Sequence, residues 1–325
     1  MQKVSKILVV RFSSIGDIVL TTPIPRCLKN QLDNVEIHYL TKKTYVSLLQ
    51  GNPNIDKIYS IEKDIDEVIG ELKREKYDHI VDLHKNLRTK RLIGKLGVKS
   101  STFSKLNFQK FMLTRFKVNR MPDVHIVDRY FEAVNAFGVK NDQKGLQLEL
   151  AHTDTVEGLP EKFMVIAAGA KFATKRMPFD LISNVLSNIS TQILVLGGDE
   201  DKEIGQRLEE RFSHVKSYCG KLSLRKSAFV ISKASAALTS DTGLMHIGSA
   251  FKIPLVTVWG NTTSNLGMYP YIPENKDLYT LHELELSCRP CSKIGYNECP
   301  KKHFNCMNKQ DADRIAKDLM RYLNE

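Results

Sequence analysis

Short apolar runs alternate along the chain with longer stretches in which apolar positions recur every three to four residues. Four runs in the first half are rich in β-branched residues and predict strands: KILVV (6–10), VEIHYLT (35–41), DKIYSI (56–61) and YDHIVDL (77–83). The periodic stretches between them predict helices. Such alternation is typical of a parallel sheet with right-handed crossovers.

The alternation restarts in the second half. Strands are predicted at KFMVIAAG (162–169), TQILVLGG (191–198), AALTS (236–240) and PLVTVWG (254–260), and QDADRIAKDLMRYLNE predicts a terminal amphipathic helix. The two successive series of alternating strands and helices predict an α/β protein with two Rossmann-like domains. These are residues 1–155 and 156–325, joined near the polar stretch 142–160. Ligands of open α/β sheets bind beyond the carboxyl ends of strands, so we expect the site in a cleft between the domains.

The composition and the N-terminal segment lead us to expect a cytoplasmic protein. Hydrophobic residues make up 42% and charged residues 26%, as in soluble globular proteins. No stretch approaches the ~18–20 apolar residues that cross a bilayer. The N-terminal apolar run is only ILVV and is followed directly by Arg11, which is unlike a signal peptide.

The positive charge is concentrated in one segment. The net charge is +11, and the stretch from Leu83 to Pro122 contains eleven basic residues and no acidic one. The remaining 37 basic residues balance the 37 acidic ones. A local positive field indicates an anionic partner at one place: phosphates, nucleic acid or a membrane surface.

The first strand ends in a polar turn, RFSSIGD (11–17). It contains one glycine, whereas the dinucleotide-binding fingerprint needs three, and this disfavours a nicotinamide-dependent oxidoreductase. Asp17 lies near the start of the following helix. Spacing alone favours an N-cap role for it; the alternative is a general base facing the cleft.

Two further strand ends carry polar turns in the second half. Lys175 and Arg176 lie in one of them, either as a solvated basic loop or as a clamp for phosphate. The other is SDTGLMHIGSA (240–250), which puts a carboxylate, a hydroxyl and a glycine at a helix N-terminus, where anions are favoured. His246 lies one turn further along, and a lone histidine on an apolar helix is more often structural than functional.

Four of the six cysteines crowd into one segment near the C-terminus, CRPCSKIGYNECPKKHFNC. In a cytoplasmic protein this spacing predicts a structural zinc site. The competing interpretation is a reduced or disulfide-linked loop. The expected ligands are Cys288, Cys291, Cys299 and Cys306. Cys27 and Cys219 stand apart from the cluster and are expected to be reduced core thiols.

Four separated motifs together resemble one family. KILVVRFSSIGDIVLTTPIP, DLHKNLRTK (82–90), TKRMP (174–178) and SDTGLMHIGSA resemble, in order, motifs of the bacterial ADP-heptose:lipopolysaccharide heptosyltransferases, glycosyltransferase family nine. The resemblance covers nearly the whole chain. Met177 departs from it, since the family usually has tryptophan there, and donor preference could change if that tryptophan packs on the donor.

The resemblance implies a GT-B fold and an inverting, metal-independent transfer of heptose from ADP-heptose to the lipopolysaccharide inner core, with any zinc purely structural. A transferase of the same fold with another nucleotide sugar or glycan acceptor is the alternative. Asp17 would be the general base, and Lys175 would contact the donor phosphates. The expected donor contacts are Ser13, Ser14, Gly16, Asp199, Asp241, Thr242, Gly243, Leu244 and His246.

The basic segment then gains a role. Its phenylalanines alternate with basic residues, which suits a surface for a phosphorylated, lipid-anchored acceptor at the inner face of the cytoplasmic membrane; the alternative is an amphipathic helix packed on its own domain. The expected acceptor contacts are Lys85, Asn86, Arg88, Arg115 and Arg120. A nucleic-acid partner is disfavoured because no known binding module is present, and we expect a monomer.

Overall fold

Each of two units of the chain is built on its own parallel sheet. The computed structural model describes residues 5–323. Unit 1 runs to Lys105 and resumes at Val124–Ala151, whereas unit 2 consists of Leu106–Asp123 and the chain from His152 onward. The predicted α/β class with two parallel sheets is therefore confirmed.

Unit 1 contains a five-stranded parallel sheet in the order β3-β2-β1-β4-β5. Its strands are β1 (Lys6–Val10), β2 (Glu36–Lys42), β3 (Lys57–Ile61), β4 (His79–Asp82) and β5 (Ser100–Thr102). Its α-helices are α1 (Ile15–Val19), α2 (Pro23–Gln31), α3 (Ile69–Arg74), α4 (Leu87–Leu96) and, after the α5 segment of unit 2, α6 (Ile126–Tyr130). The central strand β1 is apolar and buried, as expected for a strand covered on both faces.

Unit 2 contains a six-stranded sheet in the order β11-β10-β9-β6-β7-β8, again with every pair parallel. Its strands are β6 (Phe163–Ala167), β7 (Gln192–Leu196), β8 (Val215–Ser217), β9 (Ala236–Ser240), β10 (Leu255–Trp259) and β11 (Tyr279–Glu283). Its α-helices are α5 (Asn107–Phe111), α7 (Phe179–Leu186), α8 (Lys202–Arg211), α9 (Leu224–Lys233), α10 (Gly243–Ala250), α11 (Asn305–Asn308) and α12 (Ala312–Arg321).

Three edge strands and several 3₁₀ segments differ from the predicted elements. Strands β5, β8 and β11 were not predicted, and all three lie at sheet edges, where polar residues replace the apolar run of a central strand. The helix predicted between the second and third strands is a 3₁₀ helix, Lys43–Leu48, and another 3₁₀ helix, Phe131–Phe137, follows α6. The helix predicted between the third and fourth strands is divided into a 3₁₀ turn, Ile65–Glu67, and α3.

The segment Leu106–Asp123 groups with unit 2, although the predicted boundary put it in the first domain. It consists of α5 followed by a π-helical turn, Met112–Phe116. Lys117 Nζ donates a hydrogen bond of 2.7 Å to the carbonyl oxygen of Pro290 in unit 2. The domain boundary was predicted from local sequence patterns, which carry no information about a contact between residues so far apart in the chain.

The terminal helix α12 begins as the sequence predicts. The Asp311 carboxylate caps it by accepting from the Arg314 backbone N–H at 3.0 Å. Ile315, Ala316 and Leu319 then pack into the apolar core of unit 2. None of the helices within residues 5–323 has the length and apolar character that crossing a membrane requires.

Candidate functional site

Three neighbouring strands of unit 2 bring polar side chains together where they end. Strand β9 lies between β6 and β10, so the segments that follow these strands share one edge of the sheet. Lys175 Nζ lies 2.6 Å from Asp241 Oδ2, and the Thr262 hydroxyl donates to that oxygen at 2.8 Å. Both members of the ion pair are largely buried, with side chains 15% and 12% exposed. A fixed cation and carboxylate therefore lie together at this edge.

Helix α10 begins immediately beside this pair. Thr242 is its N-cap residue, but its side chain makes no capping bond. The Thr242 hydroxyl oxygen is buried and has no hydrogen-bond partner in the described part of the chain. The first backbone N–H groups of a helix lack intrahelical acceptors, and the helix dipole adds positive potential there. Together with the Lys175 ammonium, this end of α10 can bind a phosphate or diphosphate.

His246, one turn into α10, is only 2% exposed and is part of the interior of unit 2. Gly243 and Leu244 form the first turn of the helix, as the motif predicts. The structure thus brings Lys175, Asp241 and the start of α10 into one place.

Asp199 lies in a different environment. It follows β7 in a 3₁₀ turn, its side chain is 82% exposed, and it pairs with Lys202 at 2.7 Å. The buried acid at this strand end is Asp201, which accepts from the Gly198 backbone N–H at 2.8 Å. Burial raises the pKa of Asp201. The contact of Asp199 with a donor stays a prediction.

Met177 is 1% exposed and packs in the apolar core of unit 2. Its neighbour Arg176 donates from Nε to the Ala170 carbonyl oxygen at 2.7 Å and so helps to hold the loop that carries Lys175. The methionine therefore offers no surface on which a donor base or sugar could stack.

A second group of polar side chains follows β1 in unit 1. Asp17 Oδ2 accepts from the backbone N–H of Ser14 at 3.0 Å and from its hydroxyl at 2.7 Å. This is a capping box in which Ser14 is the N-cap and Asp17 its partner in the first turn of α1. Asp17 Oδ1 also lies 2.5 Å from Arg11 Nη2. The N-cap is therefore Ser14 and not Asp17, which supports the cap from the third position of the helix, and the same carboxylate is also half of an ion pair.

Arg11 is held firmly in place. It is 9% exposed and donates to the carbonyl oxygens of Leu83 at 2.5 Å and Ser13 at 2.9 Å. His84, beyond the end of the adjacent strand β4, stacks edge-on against Phe12. Burial, with a further contribution from the Arg11 charge, lowers the pKa of His84 to about 4. Its Nδ1 is buried without a hydrogen-bond partner among residues 5–323, so a neutral imidazole lies near the Arg11–Asp17 pair.

The predicted donor contacts Ser13, Ser14 and Gly16 lie in this turn of unit 1, next to Asp17, whereas Lys175 and Asp241 belong to unit 2. The carbonyl oxygen of Ser13 is taken up by Arg11, and Ser14 is taken up by the capping box. Gly16 is buried within α1.

The predicted acceptor contacts are divided between the units. Lys85 Nζ donates to the carbonyl oxygen of Phe103 at 2.8 Å, and Asn86 caps α4. The Arg88 guanidinium lies 5.5 Å from the ring centre of Phe12. The other two, Arg115 and Arg120, are exposed and belong to unit 2.

The four clustered cysteines have free thiols. Cys288 Sγ lies 4.0 Å from His303 Nε2, and the Cys291 thiol donates to the carbonyl oxygen of Cys288 at 3.1 Å. Burial raises the pKa of Cys306 to about 11, and the other three cysteines are close enough to act on it electrostatically. Thiolate and imidazole groups are ligands that zinc prefers, but among the described residues no three of the cysteine and histidine ligand atoms here lie within 4.8 Å of one another. The structure therefore does not gather the cysteines into a ligand set, and zinc stays a prediction.

One other group resembles a metal site by composition. Among the described residues, Glu36, His38 and Glu75 are the one set of three whose potential ligand atoms lie within 4.8 Å of one another. Lys6 Nζ already lies 2.9 Å from both carboxylates. Lys57 adds a further ion pair to Glu75 at 2.7 Å. The arrangement is thus a neutralised ion-pair network.

Sequence reasoning did not select Arg11, His84 or Thr262 as site residues. The polar run GNTT after β10 and the arginine directly after β1 are the local signals that could have indicated two of them. Their importance comes from the strand order, which places the end of β10 beside that of β9 and the end of β4 beside that of β1.

A model of glycosyltransferase family 9 (heptosyltransferase) matches residues 66–301. This span is more than half of the chain and includes Lys175 and Asp241, while Asp17 lies before it. The chain is 24% identical over 324 residues to lipooligosaccharide heptosyltransferase 2 of Campylobacter jejuni, covering 94% of this chain and 95% of that protein.

Solved structures agree with this match in fold. A glycosyltransferase family 9 structure from Veillonella parvula superposes with a TM-score of 0.81 at 21% identity, covering 98% of this chain and 97% of that one. The E. coli heptosyltransferase WaaC with ADP gives a TM-score of 0.69 at 18% identity, covering 98% and 99%. The predicted GT-B fold is confirmed.

Proposed function

The chain belongs to glycosyltransferase family 9, the heptosyltransferase family, and on that premise we propose that it transfers heptose from ADP-heptose to the inner core of a lipopolysaccharide or lipooligosaccharide. The observation that carries the proposal is the convergence of Lys175, Asp241 and the start of α10 in unit 2. Heptose as the sugar and lipooligosaccharide as the acceptor are taken from the names of the relatives. The residues themselves indicate a binding site for a nucleotide diphosphate sugar.

The donor diphosphate is proposed to bind at the start of α10, with its negative charge against the Lys175 ammonium and the first backbone N–H groups of the helix. Asp241, whose carboxylate is fixed by Lys175 and Thr262, is then placed to accept hydrogen bonds from hydroxyls of the sugar. As the bond between the anomeric carbon and the diphosphate breaks, Lys175 and the helix stabilise the departing ADP. We propose that these groups act without a catalytic metal.

Asp17 is proposed as the general base. Its carboxylate takes the proton of the acceptor hydroxyl, whose oxygen attacks the anomeric carbon on the face opposite to ADP, so the configuration inverts. Arg11 keeps the carboxylate in one orientation through the 2.5 Å ion pair. The capping contacts from Ser14 hold the other oxygen.

The acceptor of such a reaction carries a lipid anchor and phosphates, so we propose that the protein works at the inner face of the cytoplasmic membrane. The exposed side chains of the segment Leu106–Asp123 suit that surface. Phe108, Phe111 and Phe116 are 62%, 54% and 57% exposed, and the neighbouring Arg115 and Arg120 are exposed as well. Aromatic rings with basic residues are typical of segments that bind anionic bilayers at their interface.

A donor screen tests the proposed function. The purified protein is incubated with a heptose-deficient lipooligosaccharide and an equimolar mixture of nucleotide sugars that includes ADP-heptose, and the products are read by mass spectrometry. We expect one heptose to be added and ADP to be released. Addition of another sugar would establish the alternative donor, and protection of the protein from thermal unfolding by NAD or nucleic acid instead of ADP would contradict the proposal.

A further inference from the structure

The loop that follows β10, Gly260–Thr263, contacts Asp241 and the residue before Lys175. The Thr262 hydroxyl donates to Asp241. The backbone N–H of Asn261 donates to the carbonyl oxygen of Thr174, the residue before Lys175, at 3.4 Å. A Cβ atom at Gly260 would lie 2.4 Å from that carbonyl oxygen, so glycine is required for the approach.

The side chain of Asn261 is the unusual feature of this loop. The residue is 2% exposed, yet neither its amide nitrogen nor its amide oxygen has a hydrogen-bond partner anywhere in residues 5–323. Buried polar groups in folded proteins are nearly always paired, because an unpaired one keeps its full desolvation cost. The Asn261 amide lacks a partner for its nitrogen and for its oxygen, and it lies next to the proposed donor site. We therefore infer that the bound ligand supplies both partners.

Hydrogen bonds from the cysteine-rich segment also hold the backbone of the loop in place. Three consecutive carbonyl oxygens of the loop are taken up: Arg289 donates to those of Gly260 and Thr262, each at 2.5 Å, and the Cys291 backbone N–H donates to that of Asn261 at 2.9 Å. Arg289 is itself 8% exposed and pairs with Glu283 at 3.1 Å. The backbone around Asn261 is therefore preorganised.

We propose that Gly260–Thr263 is a third element of the donor site, in which Asn261 contacts a hydroxyl of the donor sugar and Arg289 positions the loop. A hydroxyl both donates and accepts, so one or two sugar hydroxyls satisfy both atoms of the amide, whereas a phosphate oxygen would satisfy only the nitrogen. The inference rests on the proposed nucleotide-sugar seat, and it adds the residue that distinguishes a sugar-bearing donor from free ADP.

The test compares two ligands on one variant. Asn261→Leu keeps the shape of the side chain but removes both polar atoms. By calorimetry we expect the dissociation constant for ADP-heptose to rise about tenfold, the size of one or two lost hydrogen bonds, and that for ADP to stay within about twofold. The melting temperature without ligand should stay the same or rise, because an unpaired buried amide has been removed.

Asn52→Leu is the matched control. Asn52 is also buried, at 6% exposed, but its side-chain oxygen accepts from the Asn54 backbone N–H at 2.9 Å. This substitution should lower the melting temperature and leave both dissociation constants unchanged. If Asn261→Leu leaves the affinity for ADP-heptose unchanged while the wild-type protein binds it, the role of Asn261 is refuted. If the wild-type protein binds neither ligand, the proposed function itself fails.

Arg289 is tested as a positioning residue with Arg289→Lys and Arg289→Ala. Both are compared at a temperature where circular dichroism shows them folded. We expect Arg289→Ala to raise the KM for ADP-heptose and lower kcat, with partial recovery in Arg289→Lys, since a lysine can donate to one or two of the same carbonyl oxygens. Lower melting temperatures with unchanged kinetics in both variants would show a purely structural role.

Discussion

Replacing Lys175 with methionine removes one charge from the candidate donor site and keeps most of the length of the side chain. In the structure the ammonium lies 2.6 Å from Asp241 Oδ2, and both side chains are largely buried. After the substitution, the Thr262 hydroxyl at 2.8 Å is the remaining hydrogen-bond partner of that carboxylate oxygen among the described residues. The substitution therefore acts on stability and on donor binding through the same atom.

The size of each effect follows from the geometry. A hydrogen bond to a charged group contributes about 1.5–3 kcal/mol, and we expect the free energy of unfolding to fall by roughly that amount. Adding Asp241→Asn to the variant should recover most of the loss, because no unpaired carboxylate is left behind. An ammonium has three N–H donors and can contact a phosphate while it keeps Asp241. Losing the phosphate contact should weaken ADP binding by about 10- to 150-fold.

Calorimetric titration with ADP measures the effect on binding, and unfolding by denaturant separately measures the effect on the free energy of unfolding. Lys171→Met is the matched control, because Lys171 is an exposed lysine of the same loop and its ammonium lies near the ring of Phe172. The affinity of the control variant for ADP should stay within about twofold of the wild type, since the charge of an exposed lysine is screened by water and salt. If Lys175→Met binds ADP as tightly as the control does, the assignment of Lys175 to the donor phosphates is refuted.

Three further outcomes follow from other parts of the molecule. The folded protein holds His84 neutral down to a pKa of about 4 against an ordinary value of 6.5, so stability is lost as the pH falls through that interval; His84→Asn should reduce this loss, and an unchanged slope of unfolding free energy against pH would contradict the burial argument. Phe111→Ser combined with Phe116→Ser should reduce sedimentation with phosphatidylglycerol vesicles at least severalfold and leave ADP affinity unchanged, and equal sedimentation would remove this segment as the membrane contact. Elemental analysis of protein purified without chelator should find about one zinc or iron per chain, to be lost in Cys291→Ser combined with Cys299→Ser; a metal-free wild-type protein would refute the metal site.

The central strands were predictable because strands buried on both faces read as continuous apolar runs. KILVV and LVTVW correspond to β1 and β10 in the structure. The edge strands β5, β8 and β11 were not, since half-exposed edge positions admit polar residues. The grouping of Leu106–Asp123 with unit 2 depends on tertiary contacts such as that of Lys117 with Pro290, which no local pattern contains.

The candidate site was predictable in part for the same reason. Asp241 and the start of α10 follow directly from a strand that ends in a polar turn, and Lys175 was indicated by its motif. Thr262 and Arg289 become relevant only when β10 is placed beside β9. The ion pair between Arg11 and Asp17 likewise depends on how the turn after β1 folds back on itself.

The most direct test of the proposed reaction is the transfer rate of Asp17→Asn with ADP-heptose and a heptose-deficient lipooligosaccharide. Asparagine keeps the size of the side chain and an oxygen for the Ser14 cap, but it cannot take the proton of the acceptor hydroxyl. The proposed mechanism predicts that kcat falls by about 10²- to 10⁴-fold, while the affinity for ADP stays within about twofold. A variant that transfers heptose at the wild-type rate would contradict it.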